Sequence, residues 1–188
     1  HNHGLDRVPV VIREDLDNQI GVFEWIKGNN PASPNSENLS QLLEFVAQLN
    51  GLRGSKALTR LSNATEACFS GQEICRQIQT RRDRFAEFKM ESSDIPSFLE
   101  SIFDPLLPQV VDWAKHYWPQ DPHFNEALPV EHQTLSPSDL GFHNAILGES
   151  GNLYVIDLEY FGWDDPVKLA SDFWWHPGMT LDPQLRKR

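Results

Sequence analysis

The chain has 188 residues, enough for one ordinary domain or a domain plus a fragment of a second; 39% are hydrophobic and 11% aromatic, which excludes global disorder. Its 16 Lys and Arg against 27 Asp and Glu leave a formal charge of −11, which excludes nucleic-acid binding through bulk positive charge. No apolar run reaches the roughly 18 residues of a membrane span, no signal peptide is visible, and Cys68 and Cys75 form neither a disulfide framework nor a metal-type pair, so a reducing, cytoplasmic setting is expected. The first residue is His1 rather than Met, which reads as processing, a tag or a cut from a longer chain; residues 1–4 are given no role.

In chain order, the β-rich run Val8–Arg13 and the run Ile20–Ile26 predict two strands, with a turn at Asp15–Asn18 between them. Gly28–Asn38, rich in Asn, Pro and Ser, reads as a linker, and the first boundary falls there. Asn38 or Ser40 can cap a helix to about Leu49, with Leu39, Leu42, Leu43, Val46 and Leu49 on one face. Ala64–Lys89 predicts helix with a break near Ser70-Gly71, and Arg76, Arg81, Arg82, Arg84 and Lys89 read as a solvated basic face. Ser97–Trp118 predicts a further helix interrupted at Pro105 and Pro108, with Phe98, Ile102, Val110, Trp113 and Tyr117 assigned to the core. Pro119–Pro129 reads as a loop.

After Gln133 the pattern changes. Asn144–Leu147 and Leu153–Asp157 predict strands joined by the turn residues Gly148–Asn152, a β-hairpin. Asn144 and Asp157 are symmetric about the Ser150-Gly151 turn and should therefore face each other at one end of the ladder, with Asp139 in the preceding loop. An amide and two carboxylates would then converge. Oxygen ligands of this kind suit Mg²⁺, and a carboxylate outside the metal shell can accept the proton of an attacking hydroxyl. That is the minimum equipment for phosphoryl transfer from ATP. Asp165-Pro166 has the order of an N-cap and first helical turn, opening a helix to about Trp175. His143 is read as orienting the loop and Asp172 as structural; Asp164 is weighed for contact with a cationic substrate, and Trp163, Trp174 and Trp175 are assigned to packing.

Asp139-x-x-x-x-Asn144, followed after a hairpin by Ile156-Asp157-Leu158-Glu159-Tyr160, resembles the catalytic segment of the aminoglycoside phosphotransferase and choline kinase group, small-molecule kinases with a protein-kinase-like fold. The resemblance implies Asp139 as the catalytic base, Asn144 and Asp157 as Mg²⁺ ligands, and at most a supporting role for Glu159. Phe23-Glu24-Trp25-Ile26-x-Gly28 resembles the hinge that contacts adenine through backbone, so Phe23, Glu24 and Trp25 are the implied ATP-binding residues. The implied fold is α+β: 1–28 the end of the N-lobe and the hinge strand, 29–188 a mainly helical C-lobe carrying the catalytic loop and metal-binding hairpin. The implied reaction moves the γ-phosphoryl of ATP to a hydroxyl of an aminoglycoside, amino alcohol or sugar, and the acidic composition leans toward a cationic acceptor.

Two departures bear on activity. Pro137 stands where the group usually has a histidine two residues before the base, and the 188 residues hold no Gly-rich phosphate loop and no Val-Ala-Ile-Lys-like strand. The chain alone is therefore expected to bind ATP feebly and transfer no phosphate, and to leave Val10, Ile12, Val22 and Trp25 uncovered. A non-catalytic kinase-like binding or scaffold module is the alternative.

Overall fold

The computed structural model describes residues 5–31, 33–53, 55, 58, 60–87, 94–120, 122–176, 179, 181–182 and 185, with the side chains of 86 and 87 excepted. The fold is α+β, with helices and small antiparallel sheets. Two compact units divide it: His1–Ala67 with Glu131–Arg188, and Cys68–Val130. Among the described residues no helix is long and apolar enough to cross a membrane.

The first unit opens with an antiparallel hairpin of β1 (Val11–Asp15) and β2 (Ile20–Phe23). The Asp15 carboxylate closes its turn by accepting from the backbone and side-chain nitrogens of Asn18 at 3.1 and 3.0 Å. Val10, Ile12, Val22 and Trp25 are all exposed, Trp25 at 90%. The predicted linker is partly a strand: β3 (Gly28–Asn29) pairs with β5 (Ala145–Gly148). Only glycine permits this approach, since a Cβ at residue 28 would lie 2.2 Å from the Leu147 carbonyl oxygen.

Helix α1 (Ser36–Gly51) begins earlier than its periodicity predicts, because Asn35 is the cap. Its side chain accepts from Asn38 N at 2.9 Å while Asn38 accepts from Asn35 N at 3.1 Å, a reciprocal box built from two asparagines. The buried face of α1 carries Leu39, Leu42, Phe45 and Leu49, packed in one cluster with Leu135, Phe142, Ala145, Leu153, Val155, Leu169 and Phe173. Each leucine, valine or phenylalanine removed from water in this way contributes about 1.5–3 kcal/mol. In the middle of this apolar face Gln41 is also buried. Its amide donates to Gly151 O at 3.0 Å and accepts from Leu153 N at 2.8 Å, tying the helix to the hairpin turn that follows β5.

That hairpin pairs β5 with β6 (Leu153–Val155). The register differs by one residue from the expected symmetry. Ala145 pairs with Val155, so the turn centres on Ser150, and Asn144 meets Ile156, whose N–H bonds to Asn144 O at 2.9 Å. Asp157 is displaced past the end of the ladder and does not face Asn144. A one-residue offset in turn length reverses which side chains share a face. A second small sheet, absent from the sequence reading, pairs β4 (Thr134–Ser136) with β7 (Gly162–Asp164). Helix α5 (Pro166–Trp175) follows with the expected bounds, its cap Asp165 accepting from Val167 N at 2.6 Å. Trp163 packs against the core, but Trp175 is exposed, contrary to its assignment to packing.

The second unit is helical: α2 (Gly71–Glu87), α3 (Asp94–Phe98), a π-helical turn (Leu99–Phe103) and α4 (Asp104–Tyr117). The predicted break at Gly71 is the start of α2, and residues 64–70 are not helical. Arg82 is not part of a solvated face. Its guanidinium binds the Asp104 carboxylate, Nε to Oδ1 at 2.9 Å, and so joins α2 to α4. Arg76 pairs with Glu73 on its own helix, and Lys89 lies outside the described residues. Phe98, Ile102, Val110, Trp113 and Tyr117 are 49–66% exposed, so their assignment to the core is corrected. Their helical spacing is as predicted; periodicity identifies an apolar stripe and is silent about whether anything covers it.

Candidate active site

The loop between β4 and β5 is held at several points. Ser136 is fully buried at the end of β4, and its hydroxyl accepts from Ser138 N at 2.9 Å. Pro137 is likewise buried and fixes the backbone between them. Ser138 adopts φ 70°, and its hydroxyl donates to Thr65 O at 2.7 Å. A single helical turn, Phe142–Asn144, completes the loop. Asn30, one residue after β3, donates its side-chain amide to the carbonyls of Phe142, His143 (3.1 Å) and Ala145 (3.2 Å). The segment read as a linker thus latches the loop that carries the candidate base.

Asp139 sits at the centre of this loop, its side chain 41% exposed. The Asn144 amide donates to its carbonyl at 3.0 Å and to Oδ2 at 3.1 Å. His143 Nε2 lies 3.0 Å from Oδ1, and His176, just past the end of α5, places its own Nε2 3.3 Å from the same oxygen. The two imidazoles stack in near-parallel planes with centroids 4.2 Å apart. Asp157, beyond the hairpin's end, adopts φ 60°, a left-handed conformation that Asp tolerates better than most residues.

Acidic charge is concentrated here. The Tyr160 hydroxyl is held above its ordinary pKa of 10.0, chiefly by its hydrogen bond to Glu159 and that residue's charge, with smaller contributions from burial and from the Asp157 and Asp139 carboxylates. Both carboxylates therefore act on one phenol from the same region. Asp139 and Asn144 are in direct contact, and Asp157 follows two residues past the end of β6.

No protein-family model matches the chain, and no curated protein matches it.

The other candidates lie elsewhere. Glu24 extends the β1–β2 hairpin: its N–H donates to Val10 O at 2.8 Å and its carboxylate accepts from Val10 N at 3.0 Å. Phe23 and Trp25 flank it on exposed backbone. The chain then reaches the β5–β6 hairpin through Lys27, whose carbonyl accepts from Glu149 N at 3.1 Å and whose ammonium pairs with the Glu149 carboxylate at 2.7 Å. Asp164 does not face a substrate. It is fully buried, accepts from Asp165 N at 2.8 Å and lies 3.4 Å from Lys168 Nζ. Lys168 also binds Asp172. Burial pulls the Lys168 ammonium down, but the hydrogen bond to Asp172 and the Asp164 and Asp172 charges outweigh it, and the group titrates above its ordinary 10.5.

His176, Asn30 and Gln41 were not singled out in the sequence. No local motif marks them, because each acts on a loop or turn far away in the chain. A cleft of ≈ 500 Å³ lies between α1 and α5, lined by Leu42, Val46, Leu169 and Phe173 among others. Its wall is almost wholly apolar and includes none of Asp139, Asn144 or Asp157.

Proposed function

We propose that the chain carries the catalytic loop and hairpin of an ATP-dependent small-molecule phosphotransferase with a protein-kinase-like fold, of the aminoglycoside phosphotransferase and choline kinase group. The observation that carries the reading is the contact of Asn144 with Asp139 at the mouth of a hairpin whose far strand runs into Asp157. The donor set fits Mg²⁺: oxygen from the Asn144 amide and the Asp157 carboxylate, in a region of concentrated negative charge. When bound, that ion would neutralise phosphate charge as the phosphoryl group moves.

The chain's own residues supply positioning and a proton acceptor. The Asp139 carboxylate accepts the proton of the acceptor hydroxyl. Asn144 fixes its rotamer through Oδ2, and the Ser136–Ser138 turn and Asn30 fix its backbone. Little else is required, since most of such catalysis is orientation and charge stabilisation. The acceptor is a hydroxyl-bearing aminoglycoside, amino alcohol or sugar, and the acidic surroundings of Tyr160 favour a cationic one.

The test is nucleotide-dependent stabilisation followed by a transfer assay, both on a protein that joins this chain to a phosphate-gripping N-lobe. ATP should raise the melting temperature more with Mg²⁺ than without, since a ligand bound only to the native state stabilises it by mass action. Asp157→Asn should remove the Mg²⁺-dependent part, and an unchanged shift in that variant would count against the assignment. The buried Pro137 at the usual histidine position favours a second reading, a kinase-like module that binds nucleotide without transferring phosphate. Labelled γ-phosphate appearing on any acceptor of a cationic panel, and lost in Asp139→Asn, decides for the enzyme.

A further inference from the structure

Three side chains from two distant segments meet at Asp139 in a way that phosphoryl transfer does not use. His143 Nε2 and His176 Nε2 stand 3.0 and 3.3 Å from one carboxylate oxygen, and all three atoms lie within 4.8 Å of one another. Two ligands of a tetrahedral zinc ion, each about 2.0–2.1 Å from the metal, stand roughly 3.3 Å apart. We propose that Asp139, His143 and His176 form a binding site for a divalent transition-metal ion of the zinc class, separate from the oxygen-ligand site of Asn144 and Asp157.

The surroundings are those of a built ligand set. Asn144 holds Asp139 Oδ2, which turns Oδ1 toward the imidazoles; a ligating carboxylate is commonly held by its second oxygen in this way. The His143 ring is locked by its packing on Gly141. A Cβ at residue 141 would lie 2.3 Å from His143 Cε1 and 2.4 Å from Nδ1, so the absence of a side chain there is what admits the ring. Nδ1 is buried against that backbone and has no hydrogen-bond partner among the described residues, leaving Nε2 as the nitrogen presented to a ligand. The stacked rings put their lone pairs in nearly parallel planes. The His176 ring therefore turns on binding, and its place just beyond the end of α5 lets it do so without disturbing the helix.

Two imidazoles and one carboxylate with a fourth position open to water are a donor set for zinc, cobalt or nickel rather than magnesium. An ion seated there occupies the lone pair with which Asp139 would accept a proton. That consequence alone rests on the phosphotransferase reading; the binding site does not.

The experiment is calorimetric titration of the chain with Zn²⁺, in a His1→Ala, His3→Ala background so that the amino-terminal histidines do not contribute. The expected result is one site per chain, weakened at least about tenfold by His143→Ala and by His176→Ala separately, and not displaced by excess Mg²⁺. Co²⁺ in the same site should give the visible absorption of a tetrahedral ion, absent from both variants. Circular dichroism identifies any variant that fails to fold; His176→Ala, just past the end of α5, then carries the test. Absence of binding, or affinity unchanged by either histidine substitution in a folded chain, overturns the proposal. Neither result touches the ATP and phosphate-transfer measurements, so the two readings fail separately.

Discussion

Asp157 and Ser138 both adopt a left-handed backbone, at φ 60° and 70°, on either side of the candidate base. Such a conformation costs a non-glycine residue about 1–2 kcal/mol. At Ser138 the hydroxyl bond to Thr65 offsets the cost. For Asp157 no such bond is present among the described residues, and the metal-binding role proposed for its carboxylate accounts for the cost. Asp157→Gly should therefore leave the chain as stable as before, or more stable by up to about 1 kcal/mol, while abolishing Mg²⁺-dependent stabilisation by ATP. Chemical denaturation checks the first half. A loss of stability in that variant would mean that the carboxylate serves the fold. The same reasoning separates residues legible in the sequence from those that were not. Asp139, Asn144 and Asp157 stand close together in one segment, whereas His176 reaches Asp139 from the far end of α5.

Among the elements, α1 shows how a predicted helix acquires a role that its periodicity does not reveal. Leu39, Leu42 and Leu49 build the core as expected while Leu43 is exposed, and Gln41 on the buried face is the point of attachment for the hairpin turn. Gln41→Leu keeps the volume and removes both backbone contacts, leaving the buried Leu153 N–H without its acceptor. The expected cost is about 1–3 kcal/mol in chemical denaturation. Faster amide exchange should be confined to 148–153. A variant as stable as the parent would show that water replaces the amide. The helices of the second unit teach the complementary lesson: Gly71 opens α2, but α4 carries Pro105 in its first turn and Pro108 inside it where interruptions were expected, and the Arg82–Asp104 pair that joins α2 to α4 was not readable.

For the molecule as a whole, the ion pairs set opposite limits in pH. The Asp104 carboxyl lies below its ordinary 3.8 because Arg82 hydrogen-bonds it, and Glu73 lies below 4.5 because Arg76 does. A lowered folded value means stability present above the ordinary value and lost as pH falls through the lowered one. Both side chains are about a third exposed, at 33% and 36%, and solvent screening keeps this acid limb shallow. Lys168 is raised above 10.5, so its contribution is complete below that value and is lost as pH rises through the raised one. Urea midpoints followed across both limbs should show the acid loss reduced in Asp104→Asn. Lys168→Met should flatten the alkaline loss and cost about 3–5 kcal/mol at neutral pH, since it strips a fully buried Asp164 of its cation. An alkaline limb unchanged by that substitution would sink the assignment.

What the sequence determined by itself was local: the helix from Asp165-Pro166 to Trp175, the turn residues of the β5–β6 hairpin, the apolar face of α1, and the clustering of Asp139, Asn144 and Asp157 within one stretch. Each follows from short-range rules of capping, turn chemistry and side-chain period. The register of the hairpin, the pairing of β4 with β7 and of β3 with β5, the latch from Asn30, the arrival of His176 at Asp139 and the exposure of the α4 stripe were decided only by tertiary structure. These depend on contacts between residues tens of positions apart, and on what covers a face. The energies that fix them are not written in any local window.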